Sequence, residues 1–152
     1  MTKKKIHSRN KGLAFERDIA RRMRRWFPDA RRGLQFQDTE YCPDIINTPF
    51  FIECKRYAKK LPGSIDTLYE KYLKQSIEYE KETGKDLPVV IIYKLDKQEV
   101  TAVMLSETWR QLWGYVGEIE GRLTTIRWGW FAGALDHAYP IKQADKGEPD
   151  AS

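Results

Sequence analysis

The chain has 152 residues, 41% of them hydrophobic and 32% charged, which suits one globular domain with its own core and excludes collagen-like, low-complexity and disordered chains. Its longest purely apolar run, residues 89–93, falls far short of the roughly 18 needed to span a bilayer. No apolar leader follows the basic N-terminus, so a cytoplasmic protein is expected. The net charge of +5 is uneven: residues 1–60 hold 16 basic and 7 acidic side chains, and the remainder 11 and 15. A basic field concentrated in one half suits a polyanion, either nucleic acid or an anionic surface.

Residues 1–9 are expected to form a mobile basic arm, 10–141 a single domain and 142–152 a disordered tail. Asn10 is a candidate N-cap, and residues 11–27 read as an amphipathic helix ended by Pro28. At about 100° per residue, Phe15, Trp26, Ile19, Met23, Phe27 and Ala20 share one arc, with Arg17, Arg21, Arg22, Arg24 and Arg25 opposite. Glu16 breaks the pattern by lying inside the apolar arc. A loop or strand follows over 31–37.

Residues 44–47 and 50–56 read as a β-hairpin around Thr48 and Pro49. Pairing Asn47 with Phe50, or Ile46 with Phe51 across a four-residue loop, puts Asp44 opposite Glu53 on one face. A second helix is expected from Ser64 or Ile65 to Thr83, with Ile65, Leu68, Tyr69, Tyr72, Leu73, Ser76 and Tyr79 on one arc and Gly84 as its stop. Strands over 87–95 and 99–105 follow, then a short helix capped by Ser106 and carrying Trp109, Leu112 and Trp113. This order predicts an α/β fold with a mixed central sheet flanked by helices.

Alternation along the strand places Glu53 and Lys55 on one face and Ile52 and Cys54 on the other. Asp44 joins the Glu53 face through the hairpin. Two adjacent carboxylates repel each other, and a hard divalent cation such as Mg²⁺ relieves that while accepting oxygen ligands. Lys55 completes a hydrolytic set, able to orient a nucleophile or stabilise developing charge. Glu16 makes sense in its apolar arc if it faces the same cation, directly or through water. Cys42 and Cys54 read as packing residues, because His7 and His137 lie at opposite ends and no zinc set exists.

Pro43-Asp44 followed by Glu53-Cys54-Lys55 resembles the PD-(D/E)xK nuclease signature. Asn10-Lys11-Gly12-Leu13-Ala14-Phe15-Glu16-Arg17 is similar to the first helix of archaeal-type Holliday junction resolvases. The resemblance covers about residues 10–105 and implies a restriction-endonuclease-like nuclease fold. It also implies a Mg²⁺ site, with Mn²⁺ as a substitute, made by Glu16, Asp44, Glu53 and the Cys54 carbonyl, with Lys55 catalytic. Gln75 and Tyr79 fit a Gln-x-x-x-Tyr element of the same superfamily, Gln75 for the attacking water or a phosphate and Tyr79 for the DNA backbone.

The expected activity is metal-dependent hydrolysis of four-way junctions or other branched DNA. Lys11, Arg17, Arg21, Arg31 and Arg32 are the expected backbone contacts. A homodimer is expected, since two symmetric cuts need two sites, and Trp109, Trp113, Trp128 and Trp130 serve either an interface or the core. The alternatives are another PD-(D/E)xK nuclease, whether repair, restriction-like or exonucleolytic, and a non-catalytic DNA-binding module of the same fold.

Overall fold

The computed structural model describes residues 2–33, 41–115 and 121–141, with secondary structure alone for 2–7. The expected tail, and the part of the 31–37 segment after Gly33, lie outside the described residues. The elements are α1 (Thr2–Met23), β1 (Arg31–Arg32), β2 (Ile45–Ile46), β3 (Phe51–Tyr57), α2 (Ile65–Thr83), β4 (Val89–Leu95), β5 (Thr101–Leu105), α3 (Ser106–Leu112), β6 (Leu123–Arg127) and α4 (Trp128–Ala138).

The strands form one mixed sheet in the order β1-β2-β3-β4-β5-β6. Only β3 and β4 pair in parallel, and α2 connects them, because a parallel pair needs a long crossover. Both faces of the sheet are covered, so the run Val89-Val90-Ile91-Ile92 is buried throughout rather than alternating. On one face, Ile45, Ile52, Cys54, Val90 and Ile92 pack with Phe15, Ile19 and Met23 of α1, Leu112 of α3 and Phe131 of α4. On the other, Phe51, Val89, Ile91 and Val103 pack with Tyr69, Tyr72 and Tyr79 of α2. The expected α/β class is present: a mixed sheet between two helical layers.

α2 follows its sequence signals closely. Ser64 Oγ accepts from the Thr67 N–H at 3.2 Å, and Gly84, at φ 74°, donates its N–H to the Glu80 carbonyl. Leu73, expected in the core, is exposed instead, because α2 meets the sheet through a stripe centred on its tyrosines.

Several boundaries differ from expectation. α1 begins at Thr2 and runs through Asn10 and Gly12, since a good cap residue inside a lysine-rich, helix-tolerant stretch need not start the helix. It ends at Met23, whose carbonyl accepts from both Trp26 N (3.1 Å) and Phe27 N (2.9 Å). Pro28 disfavours helical geometry at Phe27, and the released rings pack elsewhere, Trp26 near Trp128 and Phe27 against Tyr139. β4 and β5 each start two residues later than the apolar runs suggest. Ser106 does not cap α3; its hydroxyl is 2.6 Å from that of Thr124 on the neighbouring β6.

β6 and α4 carry no clear local signal. β6 is an edge strand whose one fully buried residue is Ile126, so its alternation is faint. α4, Trp-Gly-Trp-Phe-Ala-Gly-Ala-Leu-Asp-His-Ala, holds two glycines and is apolar over most of its circumference, so neither propensity nor amphipathicity marks it. Trp109, Trp113 and Trp128 pack against the core, whereas Trp130 is exposed.

Gly84→Ala should cost about 1 kcal/mol, because a Cβ is strained at positive φ. Thermal unfolding should report this as a fall in Tm of roughly 2–4 °C.

Candidate active site

The site forms where β2 parts from β3. Ile45 pairs with Ile52, the expected register, so Asp44 and Glu53 follow as neighbours. The turn between the strands is the four-residue version: Asn47 takes a positive φ of 64°, and Thr48 Oγ1 accepts from Phe50 N at 3.2 Å. Beyond Ile52 the ladder opens, and Asp44 supplies the missing acceptor, its Oδ2 taking the Cys54 N–H at 2.8 Å.

The Asp44 backbone is pinned on both sides. Its N–H donates to the Ile52 carbonyl at 2.9 Å, and its own carbonyl accepts from Gly33 N at 2.8 Å. That second bond requires a glycine, since a Cβ on Gly33 would lie 2.2 Å from the Pro43 carbonyl and 2.8 Å from Cys42 Sγ. Gly33 therefore sets how closely β1 approaches the segment that holds Asp44. Sequence reasoning missed it, and its only signal is a glycine after Arg31-Arg32.

Glu53 is 5% exposed on the α2 face of β3. Burial, then the charge of Asp44 and a hydrogen bond with it, push its carboxyl up to about 9 despite Lys55. Burial and the neighbouring Asp44 charge thus both favour the protonated form of Glu53. Lys55 Nζ lies 4.0 Å from Glu53 Oε2, with 28% of its side chain exposed, so the ammonium reaches solvent beside a buried carboxyl. Burial alone would lower the Lys55 pKa, but Tyr72, Glu53 and Asp44 together raise it. The ammonium sits 4.8 Å from the centroid of the Tyr72 ring, which fixes the lysine through a cation–π contact. Tyr72 is the second residue that sequence reasoning missed. Its place on the apolar arc of α2 marked it as core, and only the packing of α2 on β3 brings it to Lys55.

Glu16 arrives from α1, on the opposite layer. Burial and the charge of Asp44 raise its pKa, against Arg32 and Lys55. Its Oε2 accepts from Arg32 Nε at 2.9 Å. The odd polar position in the α1 arc is thus explained by a half-buried ion pair at the sheet edge. Cys54 points the other way, into the core, and its thiol is pushed well up by burial and the nearby carboxylates. It is neutral and packs, as expected.

Among the described residues, no three Asp, Glu, His or Cys side chains are drawn together as in an all-protein metal cage. Half-buried Asp44 and buried Glu53 nevertheless supply the oxygen donors that suit Mg²⁺, which commonly binds through one or two carboxylates and keeps several waters.

The other expected residues are dispersed. Gln75 is half-buried on α2, one turn beyond Tyr72. Tyr79 is buried with its ring 5.7 Å from that of Phe51, so it is a packing residue and its expected DNA contact is not supported. Arg32 pairs with Glu16 at 2.9 Å. Lys11 lies 3.8 Å from Asp96, Arg21 pairs with Asp18, and Arg17 and Arg31 are exposed. No helix among the described residues is long and apolar enough to cross a membrane.

No protein-family model and no curated protein sequence matches the chain. Among solved structures it is similar to that of Archaeoglobus fulgidus Hjc, a Holliday junction resolvase from an archaeal hyperthermophile, at 20% identity and a TM-score of 0.43 over 80% of this chain and 92% of that one.

Gly33→Ala should destabilise by about 1–3 kcal/mol and displace Asp44, measurable as a lower denaturant midpoint. Glu53 has a folded pKa raised above its unfolded value near 4.5. Folding is therefore free of its ionisation cost below that value and loses stability as the pH climbs towards 9. In chelator, Glu53→Gln should match the wild type near pH 5 and exceed its Tm by several degrees near pH 8. Parallel pH curves for the two proteins would remove the case for a raised Glu53 pKa.

Proposed function

We propose that this protein is a Mg²⁺-dependent DNA endonuclease that cuts branched DNA, specifically a Holliday junction resolvase acting as a homodimer. The observation that carries the reading is the half-buried Asp44 set beside buried Glu53, with the anchored ammonium of Lys55 next to them. Its support is the match of these residues to the Pro-Asp and Glu-x-Lys pattern and the basic N-terminal half of the chain.

Asp44 and Glu53 would hold the cation, with the Cys54 carbonyl and Glu16, directly or through water. Bound there, the cation supplies Lewis-acid activation of water and charge neutralisation at the phosphate. The chain's own residues do the remainder. Asp44 is immobilised by the Cys54 N–H and holds its carboxylate in one orientation. Lys55 is fixed by Tyr72 and offers its ammonium to the extra charge on the phosphoryl oxygens, or to the attacking water. Water forms the new P–O bond in line with the P–O bond that breaks, so no covalent enzyme intermediate arises. Exposed Arg17 and Arg31, with Lys11 and Arg21 from weak surface pairs, hold the DNA arms. Gln75 forms no side-chain hydrogen bond among the described residues, leaving its amide available for the water or a phosphate.

The test is cleavage of a labelled four-way junction beside linear duplex and single strand, with Mg²⁺, Mn²⁺ or chelator. Paired symmetric nicks confined to the junction are expected. Asp44→Asn and Lys55→Ala should each lower the rate by at least about 100-fold while junction binding persists. Digestion of linear DNA would place the protein among the other nucleases of the superfamily. Binding without metal-dependent cleavage would make it a DNA-binding module.

A further inference from the structure

The hydrolytic site leaves one feature of the molecule unused: a basic, aromatic groove between α1 and the start of α4. Two adjoining clefts of about 590 and 360 Å³ share Arg22 and Trp128 as lining residues. Arg22 and Arg25 come from α1, Lys94 from β4, and Arg127, Trp128 and Trp130 from the β6–α4 junction. Against the five basic side chains of the two linings, Arg21 among them, stand two acidic ones, Glu99 and Asp136.

The two deeper tryptophans form the wall. Trp128 packs against Phe131, with ring centroids 5.6 Å apart, and the Arg22 guanidinium lies 5.2 Å from the centroid of Trp128. Arg25 lies 5.7 Å from the centroid of Trp26. Trp130 is different: it is 68% exposed and contributes little to the core, so folding does not explain so large an apolar surface in water. Arg22 has a half-buried partner in Asp18 at 3.0 Å, whereas Arg25 with Asp136 and Arg127 with Glu99, at 3.3 and 3.7 Å, are surface ion pairs. Surface pairs of this kind are weak, and phosphates can replace them.

An exposed tryptophan beside a run of cations matches the needs of a strand whose bases are unpaired: a ring on which to stack a base and cations along the backbone. A duplex hides its base faces and offers Trp130 nothing to stack upon. An acidic peptide would satisfy the cations and leave the ring unused. We propose that this groove binds an unpaired nucleic-acid strand, stacking a base on Trp130 while Arg22, Lys94 and Arg127 contact its phosphates. Glu16 and Arg22 are six residues apart on α1, about 9 Å along its axis, so the groove lies close to the hydrolytic site on a different side of the helix.

The test uses the full chain in chelator, where hydrolysis plays no part, so failure here leaves the nuclease reading untouched. Fluorescence anisotropy of a short fluorescein-labelled oligothymidylate gives the affinity. Trp130→Ala, at an exposed position, should weaken binding at least about fivefold, and Arg127→Ala should weaken it and reduce the salt slope by about one. Unlabelled oligothymidylate should quench tryptophan emission in the wild type and much less in Trp130→Ala. Unchanged affinity in both variants would overturn the proposal. So would an equal loss for the matching duplex, or displacement of the oligonucleotide by oligoglutamate as readily as by unlabelled strand, the last pointing to an acidic peptide instead.

Discussion

The hydrogen bond from the Cys54 N–H to the Asp44 carboxylate, 2.8 Å long, is the interaction on which the candidate site depends. It sits at the point where β2 leaves β3, and there a side chain completes a ladder that backbone no longer supplies. A buried N–H without an acceptor costs about 1–3 kcal/mol, so Asp44 is held in place by the folding energy of the sheet. The same bond holds the Asp44 carboxylate beside Glu53. Gly33 supports this fork from the other side, and Glu16 reaches its edge from α1.

β3 divides its side chains between two environments that do different work. Ile52 and Cys54 are buried under α1 and α4. Phe51, Glu53 and Lys55 face α2, where Tyr72 holds the lysine and Tyr79 supports Phe51. Placing a carboxyl in this second layer gives away stability, because burial raises the pKa of Glu53, while Tyr72 and the neighbouring carboxylates sustain the charge of Lys55. Such a sacrifice is typical of functional positions in a fold whose other layers agree with one another. The first layer offsets it with aromatic packing: Phe27, Phe50, Phe131 and Tyr139 join the end of α1, the hairpin and α4 in edge-on and tilted contacts.

α1 links these parts. Its buried stripe, Phe15, Ile19, Ala20 and Met23, anchors it to the sheet, and this leaves its polar residues facing several ways. Glu16 enters the site, while Arg22 turns to the groove beside α4. One helix can serve both places because 3.6 residues per turn distribute neighbours around its full circumference.

The amino-acid sequence by itself determined the α/β class, the hairpin register that sets Asp44 beside Glu53, the capped limits of α2 and the grouping of Glu53 with Lys55. Each of these follows from a local rule: period 2 along a strand, period 3.6 along a helix, a serine cap and a glycine stop. Tertiary structure alone decided the remainder. Tyr72 became the anchor of Lys55, Arg32 the partner of Glu16, and Tyr79 a core residue, because those roles depend on which face of one element meets another. β6 and α4 escaped the local rules for a related reason. An edge strand with one buried residue and a glycine-containing, nearly all-apolar helix take their conformation from what they pack against, and no periodicity of their own encodes it.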